Sequence, residues 1–81
     1  MRLRYSKHFL KQYADLPNAV RKAFDKQNIF LLQNLRHPSL HAKKYDEALD
    51  IWQARVNRDW RFYFTIEDDK YHLHEIKPHP K

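Results

Sequence analysis

The chain is 81 residues long, carries a formal net charge of +6 and contains neither cysteine nor glycine. At this length one domain over residues 1–81 is expected; disulfides and thiolate metal centres are excluded, and so is a glycine-rich nucleotide loop. Apolar residues make up 42% and aromatics 15%, enough for a small core despite 32% charged residues, so the composition argues against disorder.

Arg2 to Tyr5 reads as a short first strand, and Ser6 is placed to cap a helix in which Phe9, Tyr13 and Leu16 recur at helical spacing. Pro17 ends that helix and suits the first turn of the next. In the second helix Val20, Ala23, Phe24, Gln27, Leu31 and Leu35 form one apolar stripe, and Pro38 stops propagation by Arg36. A loop is expected from Pro38 to Ala48. Asp50 to Val56 and Trp60 to Ile66 then alternate as strands, with a turn at Asn57-Arg58-Asp59. Glu67-Asp68-Asp69 is a second turn, and Tyr71 to Lys77 is the last strand. Its facing is ambiguous, because Tyr71 and Leu73 fall on one side and Ile76 on the other. The order is βααβββ: an α+β fold with a two-helix hairpin on a small, mostly antiparallel sheet.

The N-terminal segment MRLRYSKHF lacks the apolar run of a secretory signal, and the longest apolar stretch, Ile29 to Leu32, is far too short to cross a bilayer. A cytoplasmic location is expected, with no membrane partner. The positive charge suits a polyanion, an acidic protein partner, or both in turn, although a basic surface also serves solubility.

If Trp60, Phe62 and Phe64 face the helices, Arg61 and Tyr63 face away, and the same alternation turns Arg55 outward from the strand of Trp52 and Val56. Antiparallel pairing then sets Arg55 and Arg61 on one open face, an arrangement suited to phosphate, or simply two arginines on a wet surface. Lys43 and Lys44 sit in the loop that can rim this face, and Lys77, His79 and Lys81 close the chain. Histidine titrates near neutrality, which makes His79 the natural general acid or base. His72 and His74 alternate on one strand face, but no third ligand stands at a recognisable spacing from them or from His37 and His41, so no metal and no cofactor are expected.

Over essentially its whole length the chain resembles the RelE/ParE toxins. The matching segments are the short first strand, FLKQYADLPNAVRKAF, then HPSLHAKKYDEALDIWQARVNRDWRFYF, a brief acidic turn and a final strand. The most specific part is Trp52-x-x-Arg55-Val56 followed by Trp60-Arg61-Phe62-Tyr63-Phe64, and the closing IKPHPK is similar to one subgroup. The resemblance implies the toxin of a toxin–antitoxin pair, an acidic antitoxin that wraps it in a hetero-oligomer, and, for the RelE branch, metal-independent cleavage of mRNA on the ribosome. It implies catalytic roles for Arg61, Arg55 and His79, and RNA contacts from Lys43 and Lys44; Tyr63 on the same open face and Lys77 and Lys81 of the tail are further candidate RNA contacts by position. The branch with a near-terminal histidine carries a tyrosine beside it, where this chain has Pro80; Glu47 is near but not aligned with the loop glutamate some relatives use as base. The alternatives are a ParE-like toxin that binds DNA gyrase without chemistry, and a decayed toxin that keeps only antitoxin binding. The ParE-like reading shares the fold, and the basic and imidazole groups on the sheet favour the nuclease.

Overall fold

In the computed structural model, which describes residues 1–79, strand β1 (Arg2–Tyr5) leads into helix α1 (Lys7–Ala14) through Ser6. The Ser6 hydroxyl accepts the Phe9 amide at 3.0 Å and donates to the His74 carbonyl at 3.2 Å, so one side chain caps the helix and ties it to the last strand. Pro17 precedes helix α2 (Asn18–Gln33), whose Val20, Phe24, Gln27 and Leu31 are buried. The helix ends before the expected Arg36; the amide of Asn34 still bonds the Phe30 carbonyl, and Leu35 packs against the core from beyond the helix end.

The expected loop is more ordered than the sequence suggests. A 3-10 turn (Pro38–Leu40) is followed by a short strand β2 (Lys43–Asp46), then β3 (Ile51–Arg55), β4 (Trp60–Glu67) and β5 (Lys70–Pro78). The sheet therefore has five strands in the order β1-β5-β4-β3-β2. Only β1 and β5 run parallel; the other pairs are antiparallel. β2 escaped the sequence reading because Lys-Lys-Tyr-Asp has no apolar alternation and pairs only along the sheet edge. The chain has no glycine, and its left-handed backbone positions are taken by His41, Asp50 and Asp68, residue types that tolerate that conformation.

One face of the sheet carries Ala54, Val56, Phe62, Phe64, Tyr71, Leu73 and Ile76 against Phe9, Leu16, Val20, Phe24 and Leu31 of the helical layer. Phe24 meets Phe62 edge to face at 5.2 Å between ring centres. Trp52, expected within the core, lies at its margin, stacked on Phe64 at 6.3 Å. A β-bulge resolves the facing of β5. Tyr63 pairs with Glu75 and Phe64 with Leu73, so His74 is an extra residue, and Tyr71, Leu73 and Ile76 all reach the core.

Candidate functional site on the open face

Strand register builds the site. On the face turned from the helices, Arg55 lies directly across from Arg61, and Arg61 across from Lys77, so three cations stand in a row over three adjacent strands. The neighbouring row runs Lys43, Gln53, Tyr63 and Glu75. Like charges directly opposite on a sheet repel. The Arg61 guanidinium is correspondingly held below the usual arginine value, by burial first and by Arg55 second. Among the described residues neither Arg55 nor Arg61 has a carboxylate partner. The Nε of Arg55 is shielded from solvent and has no hydrogen-bond partner among those residues. An arriving anion would relieve both the repulsion and the unmet donor.

Arg61 has a local duty as well. Its Nη1 donates to the carbonyls of Asn57 at 2.7 Å, Trp60 at 2.9 Å and Arg58 at 3.3 Å, which braces the β3–β4 turn. Asn57 Oδ1 accepts from the amides of Asp59 and Trp60 and sets the same turn. The Asp59 carbonyl in turn accepts from the backbone amide of His79 at 2.7 Å, so the turn holds the histidine in place after β5.

Arg55, Arg61, Lys43 and His79 converge with His41, Ala42 and Gln53 around one open cleft of about 340 Å³. His79 Nδ1 is buried without a partner among the described residues. The sequence marks His41 only as a candidate metal ligand. It holds a left-handed backbone at φ 47°, just after the 3-10 turn, and that conformation brings it to the cleft. A turn of this kind leaves no periodic trace in sequence. Gln27, read there only as part of an apolar stripe, is a buried brace. Its amide nitrogen donates to the carbonyls of Arg55 at 2.8 Å and Ser39 at 2.9 Å, and its oxygen accepts from the Ser39 hydroxyl at 2.9 Å.

Other expected site residues lie elsewhere or are covered. Lys44 pairs in register with Trp52, stands over that ring, and forms ion pairs with Asp50 and, at 4.0 Å, Glu47. Alternation along β2 thus sends it to the face opposite Lys43, away from the cleft. Tyr63 is on the open face but only 5% exposed. Its hydroxyl accepts from Gln53, Tyr45 packs edge-on at 4.9 Å, and Lys77 lies over the ring at 5.1 Å. Lys77 also pairs with Glu75 at 3.6 Å, so the third cation of the row is partly neutralised. Lys81 lies outside the described residues. Among the described residues no cluster of three or more His, Cys, Asp or Glu side chains is arranged to hold a metal, and no helix is long and apolar enough to cross a membrane.

No family model matches the sequence, and no curated protein matches it either. Solved structures do. The chain is similar to one in the archaeal RelE–RelB complex from Pyrococcus horikoshii, at 21% identity and a TM-score of 0.77, over 95% of this chain and 92% of that one. It is similar to a YoeB/ParE toxin from Agrobacterium tumefaciens at 9% identity and a TM-score of 0.82, over 99% and 100% of the two chains. The isolated RelE toxin of E. coli aligns at 16% identity and a TM-score of 0.77, over 99% of this chain and 85% of that one. The α+β class expected from the sequence is found, two helices on a mostly antiparallel sheet as in the RelE-like toxin structures, with β2 as a fifth strand beyond the expected βααβββ order.

Proposed function

We propose, from this RelE-like fold and the cleft on its open face, that the chain is the single-domain toxin of a toxin–antitoxin pair and cleaves mRNA on the ribosome. The observation that supports the reading is the meeting of Arg55, Arg61 and Lys43, none with a carboxylate partner among the described residues, with two imidazoles at one cleft. The solved RelE–RelB and RelBE structures are toxin–antitoxin complexes, which supports an antitoxin partner for this chain as well.

Strand cleavage here needs no metal. The ribose 2′-hydroxyl loses its proton to a base and its oxygen attacks the adjacent phosphorus; the bond to the 5′-oxygen breaks, and that oxygen takes a proton from an acid. Arg55 and Arg61 face the negative charge that grows on the phosphorane, where fixed guanidinium donors act most strongly. Lysine and arginine hold their protons at neutral pH, whereas imidazole exchanges them readily. We assign His79 as the acid and His41 as the base, with Lys43 steadying the backbone. Inducing the protein and mapping mRNA 5′ ends tests the reading: cuts at fixed codon positions are expected. Intact mRNA with gyrase-dependent DNA damage would replace it with gyrase binding, and the absence of both effects with an antitoxin still bound would point to a decayed toxin.

A further inference from the structure

A second hollow, of about 470 Å³, opens on the other side of Arg55. Its walls come from three elements that local sequence does not link: Lys26 and Gln27 of α2, Ser39 of the 3-10 turn, and Asn57 and Arg58 of the β3–β4 turn. Arg55 and His41 line this hollow and the catalytic cleft alike, so the two share a wall. Lys26 and Arg58 are exposed, and among the described residues neither has a carboxylate partner. The nearest acid in sequence to Lys26, Asp25, accepts instead from the Tyr13 hydroxyl at 2.8 Å. The cations thus continue, with no carboxylate partner among the described residues, from Lys26 and Arg58, over Arg55, to Arg61 and Lys43. Among the described residues no aromatic ring apart from imidazole lines the second hollow, so it offers a peptide no large apolar anchor. It does offer charge to a regularly spaced anion.

We propose that this second hollow is a phosphate subsite, filled by a nucleotide flanking the cut, so that single-stranded RNA crosses Arg55 with Lys26 and Arg58 on its flanking backbone. The inference rests on the RNA-cleaving reading above and names where the substrate continues. It separates two kinds of arginine: Arg61 serves the reacting phosphate, whereas Arg58 adds affinity along the strand and no chemistry.

The test is equilibrium binding of an RNA of about six nucleotides, 2′-O-methylated so that it lacks the attacking hydroxyl, measured by fluorescence anisotropy across a salt series. In a Lys26→Ala/Arg58→Ala double variant the slope of log affinity against log salt should fall by about 1.4, two contacts at about 0.7 each for a single strand. A dinucleotide of the same chemistry, which fills only the catalytic cleft, should bind parent and variant alike. Circular dichroism should show an unchanged fold, as expected for two exposed side chains. An unchanged hexamer slope overturns the subsite, and so does equal weakening of the dinucleotide, which would mean a diffuse field. A Lys43→Ala control keeps the two ideas apart, because exposed Lys43 lines the first cleft and not the second hollow. If that variant binds the hexamer as the parent does, or if the parent does not bind it at low salt, the RNA reading falls and the subsite with it. If Lys43→Ala weakens binding and the double variant does not, only the subsite falls.

Discussion

Arg61 shows how one side chain is asked to do two things. Its Nη1 is committed to the carbonyls of the β3–β4 turn, while the guanidinium faces Arg55 across the sheet. Arg61→Ala should therefore lower stability by about 1–3 kcal/mol through the lost turn bonds. It should also abolish growth inhibition, since a fixed donor at a developing oxyanion is worth about 2.7–4 kcal/mol. Thermal melts and induction at equal expression check the two effects separately; a fully toxic variant removes Arg61 from the chemistry. His79 differs, because among the described residues its Nδ1 has no hydrogen-bond partner and its anchor is the backbone amide. His79→Ala should leave the melt unchanged and lower single-turnover cleavage of ribosome-bound mRNA about 10²–10⁴-fold, with His79→Gln no better because it cannot donate a proton. Unchanged cleavage in both variants would pass the acid role to another group at the cleft.

At the scale of elements, β4 serves the core and the cleft with alternate residues, Phe62 inward and Arg61 outward. Phe62 is fully buried and meets Phe24 edge on, one position from Arg61 on the opposite face. Phe62→Ala should cost about 3–5 kcal/mol, enough to unfold much of a domain this small. A melting temperature within a few degrees of the parent would contradict the packing. The bulge in β5 has its own signature. His74 shares a hydrogen bond with Thr65 at 2.8 Å and stands beside His72, ring centres 5.4 Å apart. Burial first, and His72 second, hold its imidazole below the ordinary histidine value of 6.5, against an upward pull from Glu67. The unfolded chain therefore takes up this proton before the folded one does. His74 contributes stability above about pH 6.5 that is lost as the pH falls below that value. Chemical denaturation between pH 7.5 and about 5 should show this loss, and His74→Gln should flatten it; an identical slope in the variant would assign the acid sensitivity elsewhere.

At the scale of the whole molecule, the net charge of +6 is not spread evenly in its effect. The ion pairs of Lys44 and Lys77 mute two of the cations, while those at the cleft and its neighbouring hollow have no carboxylate partner among the described residues. An acidic antitoxin that reaches this face would cover Arg55 and Arg61 by charge and bulk. Association with the product of an adjacent gene should then slow as salt rises, because steering over more than about 8–10 Å is screened. Co-expression that gives neither rescue of growth nor co-purification would count against such a pair. A salt-independent association rate would move the antitoxin contact to the exposed apolar residues of the helices, Leu10, Ile29 and Leu32.

Alternation and helical spacing are local properties, and they were enough to fix the fold class, the stripe of α2 and the outward facing of Arg55 and Arg61. In a regular helix or an unbulged strand a side chain's face follows from its neighbours two, three or four residues away. The sequence could not give the strand at Lys43–Asp46, which has no apolar period and exists because β3 offers it an edge. Nor could it orient β5, where one extra residue, His74, reverses the alternation and can be recognised only against the register of β4. The same limit hid His41 and Gln27. One reaches the cleft through a left-handed turn, and the other joins α2, the 3-10 turn and β3 by hydrogen bonds spanning up to 28 residues. Lys44 went the other way: its neighbour Lys43 predicts nothing about the partner it finds in Asp50. Which charges stay free depends on contacts between segments distant in the chain, and those were decided only when the sheet closed on its helices.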